Sequence, residues 1–437
     1  MKTRATLSAI CLLSAALGGV AATTQSADIP FTRLTIDSSQ PASPWYKMAG
    51  DINGDGQLDI IVAGSGGPLV WYAWPNWTKT QIASGGWGGV NGEAADVDGD
   101  GDVDIVMCGV VWFRNPRIGG GSWTMLRIDT QAGHDIEVGD FDRDGRIDVV
   151  SRNQSAFGGN GNQIFIYRQV NPASWTKRTI ACSQGEGLKV FDIDRDGDPD
   201  LLIGGRWYEN NGDPVNGPWT ERVYTTAWTE PDAKVDVGDF NADGRPDIVL
   251  SPAELAGQTS KIAWYQAPAD PRTGGWTERV IVSSVECVVH ALAAGDFNRD
   301  GRVDVAYAEM HQGGDPDEVV LMQNLGGGTS WRKQVLSTQG SHDILAADFG
   351  NDGDLDLVGA NHGGGFQPLE MWRNESGAGG GLSLDNWTYV QADGARPGRA
   401  FGLAFGDLDN DGLVDIVAGH YWYRNTGGAM TSWPRTD

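Results

Sequence analysis

A nine-residue phrase, Asp-x-Asp/Asn-x-Asp-Gly-x-x-Asp, recurs along this chain and limits its fold more than any other feature. Its copies begin at Asp51, Asp96, Asp140, Asp192, Asp239, Asp296, Asp348 and Asp407, 44 to 59 residues apart. Seven of them put side-chain oxygens at the first, third, fifth and ninth positions. The sets are Asp51, Asn53, Asp55 and Asp59; Asp96, Asp98, Asp100 and Asp104; Asp140, Asp142, Asp144 and Asp148; Asp192, Asp194, Asp196 and Asp200. They continue with Asp239, Asn241, Asp243 and Asp247; Asp296, Asn298, Asp300 and Asp304; Asp407, Asp409, Asp411 and Asp415. The remaining copy departs, because Gly350 takes the third position and leaves Asp348, Asp352 and Asp356, a set expected to bind more weakly. A hard cation such as Ca²⁺ takes six to eight oxygens at roughly 2.3–2.6 Å, and alternating carboxylates around a turn supply them. Glycine at the sixth position allows the sharp turn. The phrase starts like an EF-hand loop but lacks a glutamate at position twelve, where Ser151 stands in the Asp140 copy. An apolar, β-branched run follows instead, so strands flank the loop.

Eight copies at near-regular intervals indicate a repeat architecture. Around the Asp140 copy four extended segments are expected: Asp135 to Gly139, Asp148 to Ser151, the aromatic Ile164 to Tyr167, and Trp175 to Ile180. Four short strands per repeat is the pattern of a β-propeller blade, and helical periodicity is absent. The fourth-strand phrase recurs at Trp77, Trp123, Trp175, Trp219, Trp276, Trp331 and Trp387, seven times for eight loops. An equivalent stands at the start of the chain, Phe31-Thr32-Arg33-Leu34-Thr35-Ile36, while the last repeat runs out after Tyr421-Trp422-Tyr423. The expectation is therefore all-β: one eight-bladed propeller over residues 29–427, closed by the N-terminal strand completing the last blade, with a tail at 428–437.

The formal charge of −26 follows largely from the 28 loop aspartates. Eight divalent ions, carrying sixteen positive charges, would bring it to −10. The acidity is thus a metal signal, with up to eight Ca²⁺ expected, and it argues against nucleic acid as a partner. Residues 1–22 read as a signal peptide: Lys2 and Arg4, an apolar stretch from Leu7 to Val20, then Ala21-Ala22. No later segment reads as a membrane span, so a secreted or periplasmic location is expected. Extracellular calcium suits loops with dissociation constants of order 10⁻⁴–10⁻³ M. Cys108, Cys182 and Cys287 remain after the leader, an odd and scattered set that reads as free thiols.

With its Asp-x-Asp-x-Asp-Gly-x-x-Asp loops between first and second strands, the chain resembles the FG-GAP/VCBS repeat family of integrin-like propellers. The resemblance spans residues 29–427 and implies calcium loops on one face, with partner binding on the other. It says little about activity, because the family includes adhesion, lectin and lyase propellers. Two segments, Glu309-Met310-His311 through Glu318 and Gly340-Ser341-His342-Asp343 with Asn361-His362, are similar to the propeller part of aldos-2-ulose dehydratase. The eightfold count is similar to rhamnogalacturonan lyase propellers.

Candidate site residues are those the repeat does not explain. All six histidines fall at the starts of first strands (His134, His290, His342) or between second and third strands (His311, His362, His420), away from the acidic loops. His134 and His290 read as bonds between neighbouring blades, or as part of a site; His311, His342 and His362 stand in adjacent blades. Trp45, Trp87 and Trp228 lie in blade-to-blade loops, as loop anchors or as platforms for sugar rings. Arg152, Arg206, Lys234, Arg399 and Glu309 belong to the same face. Long second-to-third loops at 151–163, 251–261, 308–318 and 359–370 contrast with short turns such as 204–207.

Two functional classes fit. In the first, the chain is a secreted glycan-binding propeller. In the second, it eliminates across acidic sugars as a lyase or dehydratase, which requires a cation for the substrate carboxylate, a base and an acid. His311, His342, His362 and Arg399 are then the catalytic candidates, and Trp87, Trp228, Arg152, Arg206, Lys234, Glu309, His134 and His420 the ligand contacts. A protein–protein adhesion module is the third option. No phosphate loop, nucleophile elbow, His-x-x-x-His pair or Cys-x-x-Cys cluster occurs.

Overall fold

Alternation of apolar and polar residues between glycine-rich turns produces the blades. The computed structural model describes residues 27–116, 121–153, 162–365 and 368–379, together with strands Leu403–Gly406, Asp415–Ala418, Tyr421–Tyr423 and Arg435–Thr436. The third blade is representative: Asp135–Gly139, Asp148–Arg152, Gln163–Asn171 and Ser174–Ala181 form an antiparallel sheet in sequence order. Second strands are buried throughout, and the third-strand residues Trp112, Trp207, Trp264 and Trp372 are fully buried between sheets. Outer strands alternate exposed and half-buried residues, as edge strands do. Among the described residues there is no α-helix, only short 3₁₀ turns at Pro271–Thr273 and Ser376–Gly379.

The ring has seven blades, not eight. The inner strands Tyr46–Gly50, Gly92–Ala95, Asp135–Gly139, Lys189–Phe191, Ala233–Gly238, Ala291–Gly295 and Asp343–Ala347 lie each against the next, and the seventh lies against the first. The N-terminal strand Phe31–Asp37 completes the blade of the Asp348 loop, not the last repeat. It pairs with Leu369–Asn374, with Phe31 opposite Asn374 and Leu34 opposite Met371. Arg33 fixes that register by donating from Nε and Nη2 to the two oxygens of Glu370, at 2.9 and 2.7 Å. The expected fourth strand at Trp387 lies outside the described residues. The eighth repeat forms its own four-stranded sheet, and its fourth strand is Arg435–Thr436, beyond the point where the repeat was expected to stop. That sheet belongs to a second compact unit, residues 378–437, while the ring belongs to residues 1–377.

Contacts across the seam show why closure occurs there. Trp74 of blade 1 packs edge-on to Trp77, and Trp77 packs on Phe349 of blade 7. Trp74 also covers Gly350, where a Cβ would stand 3.0 Å from its ring. The residue missing from the seventh acidic loop is therefore a clearance for the neighbouring blade's tryptophan. Asn351 Nδ2 then donates to the Gly56 carbonyl in the loop of blade 1, at 2.7 Å.

Candidate functional site

The two faces of the ring carry different chemistry. On the first, the acidic loops share one construction. The first-position carboxylate accepts the N–H groups of the fifth and sixth residues, as Asp51 does from Asp55 at 3.0 Å and Gly56 at 2.8 Å. The ninth-position carboxylate is buried and accepts two backbone N–H groups: Asp59 takes Ile52 at 3.1 Å and Trp74 at 3.0 Å. Burial pushes these ninth-position carboxyls up, Asp59 to about 6, Asp104 to about 7 and Asp200 to about 8. The fourth residue of every described loop has a left-handed φ. Arg143, Arg195, Ala242, Arg299 and Asn351 hold it without being glycine, at φ of 53 to 61°, which costs about 1–2 kcal/mol each.

Carboxylate oxygens of Asp96, Asp98 and Asp104 converge within 4.8 Å, as do those of Asp140, Asp142 and Asp148 and of Asp192, Asp194 and Asp200. Arginines meet part of the charge, with Arg114 2.7 Å from Asp98 and Arg272 2.7 Å from Asp194. Asp98 Oδ1, Asp142 Oδ1 and Asp192 Oδ1 nevertheless stay buried without a hydrogen-bond partner. An all-oxygen set of converging, partly unsatisfied carboxylates fits Ca²⁺. The Asp407 loop, with Asp409, Asp411 and Asp415, contributes only the strand Asp415–Ala418 to the described residues.

A second recurring device on this face went unread in the sequence. An amide at the exit of the third strand bridges its own loop to the loop of the preceding blade. Asn324 Nδ2 donates to the carbonyls of Phe240 (2.8 Å) and Val303 (3.2 Å). Asn115, Gln169, Asn210 and Asn374 make the same pair of bonds. Blade 5 has Ala267 there instead. The signal available was an aromatic-x-Asn/Gln phrase, as in Trp372-Arg373-Asn374, present in four of the five blades; Asn324 follows Met322 instead.

On the opposite face the histidines form a row. His134 Nε2 lies 3.4 Å from Glu186 Oε2, and Glu186 Oε1 lies 2.8 Å from His290 Nε2. The His290 ring stacks on His342 at 4.2 Å between centroids; His342 meets His362 at 4.4 Å, and His362 meets His311 at 4.6 Å. Trp45 caps the row, 6.4 Å from His342 and 5.9 Å from His362. Asn361 holds the far end, accepting from the His311 backbone N–H at 3.2 Å and donating to the Gln339 carbonyl at 2.7 Å. Gly363 must be small here, because a Cβ would come within 2.5 Å of the His311 ring. Burial pulls His342 well below the usual imidazole value, with His290 and Lys47 adding to it, and His362 down to about 4. Both rings are neutral at pH 7. Nδ1 of His311, His342 and His362 and Nε1 of Trp45 are buried without a protein partner. Beside the Trp45 loop lies a half-open pocket of about 510 Å³ lined by Thr35, Ser38, Gln40 and Gly365, and both amide atoms of Gln40 lack partners.

Other candidates are placed differently. Arg152 is a buried inter-blade brace, donating to the carbonyls of Gly187 (2.6 Å) and Ser183 (3.0 Å). Arg206 pairs with Glu221 at 2.7 Å. Lys234 lies in the central channel 4.0 Å from Asp343, in a cavity of about 250 Å³ also lined by Lys47, Glu93, Glu137, Lys189 and Asp236. Trp228 is buried in the core, and Trp87 packs edge-on against Phe113 at 5.6 Å. Glu309 accepts the Glu318 N–H at 3.1 Å, and burial pushes its carboxyl up to about 7. In blade 5 the expected long loop at 251–261 is mostly strand, because Leu255–Gln266 runs on to pair with Thr277–Cys287. Arg399, His420 and the signal peptide expected at 1–22 lie outside the described residues. Sequence reading passed over Glu186, and over Glu254 within the long 251–261 segment it had singled out; nothing short of the fold brings them to the row.

Comparison with known proteins agrees with the architecture. Cartilage acidic protein 1 of Xenopus tropicalis is 29% identical over 135 residues, covering 30% of this chain and 20% of that protein. The chain thus spans about a fifth of that relative's length. Among solved structures, BBS1N in complex with ARL6DN, soaked with lead, aligns with a TM-score of 0.50 at 12% identity, covering 79% of this chain and 96% of that one. The V. cholerae biofilm matrix protein Bap1 aligns at 0.44 and 11% identity, covering 79% and 91%; rhamnogalacturonan lyase YesW aligns at 0.41 and 12%, covering 80% and 75%. At 12% identity the likeness to BBS1N bears on the fold alone, and the other two carry no argument. Among the described residues no helix is long and apolar enough to cross a membrane. The FG-GAP-like repeat pattern matches residues 51–107, 140–203, 296–359 and 348–418, more than half of the sequence. With its acidic loops between inner and second strands of each blade, the chain belongs to the FG-GAP-like repeat family.

Proposed function

We propose that this protein is an exported, calcium-stapled propeller that recognises carbohydrate on the face opposite its acidic loops. One observation carries the reading: Trp45 and the His342–His362–His311 row place flat rings beside buried, unpartnered ring nitrogens. Sugars present the complement, an apolar ring face flanked by hydroxyl groups that donate and accept. The neighbouring pocket with its unpartnered Gln40 amide adds further polar contacts. Calcium in the strained loops supports the reading by holding the blades in place. The leader at 1–22 supports export into a calcium-rich space. Binding to an immobilised glycan panel tests it. Retention on at least one glycan, weakened tenfold or more by His362→Asn, is expected; no retention on any would end the reading.

A second reading, β-elimination on acidic glycans, has one observation in its favour. The Nδ1 atoms of His311, His342 and His362 are buried without a protein partner, and a base for the carbon acid could be drawn from them. Against it, Arg152 and Arg206 are already engaged with protein partners. Elimination makes an unsaturated, ultraviolet-absorbing product, so uronic-acid polysaccharides separate the two readings. Binding without any rise in absorbance leaves the recognition module.

A further inference from the structure

We propose that Glu186, Glu254 and His290 bind one divalent ion of the zinc or manganese class, at a site separate from the calcium loops. The three residues come from three connections on the histidine face. Glu186 lies between blades 3 and 4, Glu254 between the second and third strands of blade 5, and His290 between blades 5 and 6. Their ligand atoms all lie within 4.8 Å of one another. His290 Nε2 stands 2.8 Å from Glu186 Oε1 and 3.5 Å from Glu254 Oε1. Donors around one tetrahedral ion with bonds of about 2.0–2.2 Å sit about 3.3–3.6 Å apart, so small side-chain adjustments suffice.

The histidine itself points to a metal. Its side chain is 0% exposed, and Nδ1 lies 3.0 Å from the backbone carbonyl of His342. A carbonyl only accepts, so Nδ1 carries the proton, and in the neutral ring the lone pair is on Nε2, facing two carboxylates. Nε2 makes no aligned hydrogen bond despite the short approach of Glu186. A lone pair turned toward carboxylates is unfavourable, so either a proton on Nε2 or a metal ion must supply positive charge between them, and the missing alignment with Glu186 favours the ion. Donation of the other ring N–H to a backbone carbonyl is how ligating histidines are held in their tautomer. Around the three, Asp232 Oδ1 accepts the Glu186 N–H at 3.1 Å, and His134 Nε2 lies 3.4 Å from Glu186 Oε2. One imidazole and two carboxylates make a borderline donor set, unlike the all-oxygen loops, and three protein ligands leave a coordination position for water or an oxygen of a bound molecule.

This inference does not depend on the glycan reading. The full-length protein would be stripped with chelator, saturated with calcium to fill the loops, and titrated with zinc. Cobalt, whose visible bands respond to a nitrogen-containing site, would serve as the optical probe. One zinc per chain is expected in millimolar calcium. Affinity should fall at least tenfold in Glu254→Gln and Glu186→Gln, with the calcium-dependent melting curve of Glu254→Gln unchanged. His290→Gln should abolish the cobalt bands. Because His290 is buried and that variant can misfold, the Glu254→Gln result decides. No stoichiometric zinc in the calcium-loaded protein overturns the proposal. So does equal uptake by wild type and Glu254→Gln, or uptake that is lost only when a loop carboxylate such as Asp98 is replaced.

Discussion

The acidic-loop face and the histidine face are built from the same strands, yet they behave oppositely under repetition. On the first, every described blade has the same left-handed fourth residue and the same buried ninth aspartate, and most have the same bridging amide. On the second, His134, Glu186, Glu254, His290, His311, His342 and His362 each occur once and meet only because the ring brings distant blades together. The lesson is that repetition marks the frame of a propeller, and departure from repetition marks where a ligand is met. Gly350 qualifies this, since it breaks the repeat for packing against Trp74 and not for binding.

The largest test of the contrast is removal of calcium. At tenfold excess over the dissociation constant each occupied loop adds about 1.4 kcal/mol to the folded state. The six complete loops in the ring together amount to roughly 8 kcal/mol, so chelation is expected to lower the melting temperature by about ten degrees. Superimposed melting curves with and without chelator would remove calcium from the frame. Next comes the bridging amide. Asn324→Ala strips the Phe240 and Val303 carbonyls of their shared donor and is expected to cost about 2–3 kcal/mol in denaturant unfolding. Blade 5, with Ala267 at the equivalent place, offers the converse, and Ala267→Asn should gain stability if the space admits the amide.

Effects on the other face should fall on binding more than on stability. His362→Asn is expected to shift the melting temperature by no more than about two degrees while weakening glycan binding tenfold or more. A large stability loss with intact binding would make the row part of the frame. The smallest expected effect is on pH. Burial, with the nearby charges of His311, His290 and Lys47, holds the His362 value down to about 4, against about 6.5 unfolded. Between those values the unfolded chain binds a proton that the folded chain refuses, so this group takes stability away as pH falls from 6.5 toward 4. In saturating calcium, His362→Asn should therefore lose less melting temperature than wild type between pH 7.5 and 5. Equal losses would show that another group governs the slope.

Much of the frame was legible because short-range rules write it. Asp-x-Asp-x-Asp-Gly turns, β-branched runs and aromatic third strands are local, and strands appeared at Asp135–Gly139 and Asp148–Arg152 where patterning put them. Blade number was not legible. The strand phrase Phe31-Thr32-Arg33 resembles the fourth strand of every blade, so it carries no address of its own. Its address is Glu370, 337 residues away, together with the Trp74–Gly350 and Asn351–Gly56 contacts at the seam. The Gly-Ala-Gly-Gly-Gly run at 377–381 was the one sequence hint of a break before the last repeat. Of the candidate site, His311, His342 and His362 were found by subtracting the repeat. Arg152 is taken up by backbone carbonyls of the neighbouring connection, and Trp228 is buried in the core.

By itself, then, the sequence determined the strand order within a blade, the acidic loops and the face on which the odd histidines fall. Each of these depends on residues within one repeat, where period-two alternation and turn chemistry decide the outcome. Tertiary structure alone decided that seven blades close, that the N-terminal strand joins the seventh, and that Glu186, Glu254 and His290 come together. Those outcomes rest on contacts between residues dozens to hundreds of positions apart. Their energy comes from side-chain fit between neighbouring blades, which no local pattern encodes.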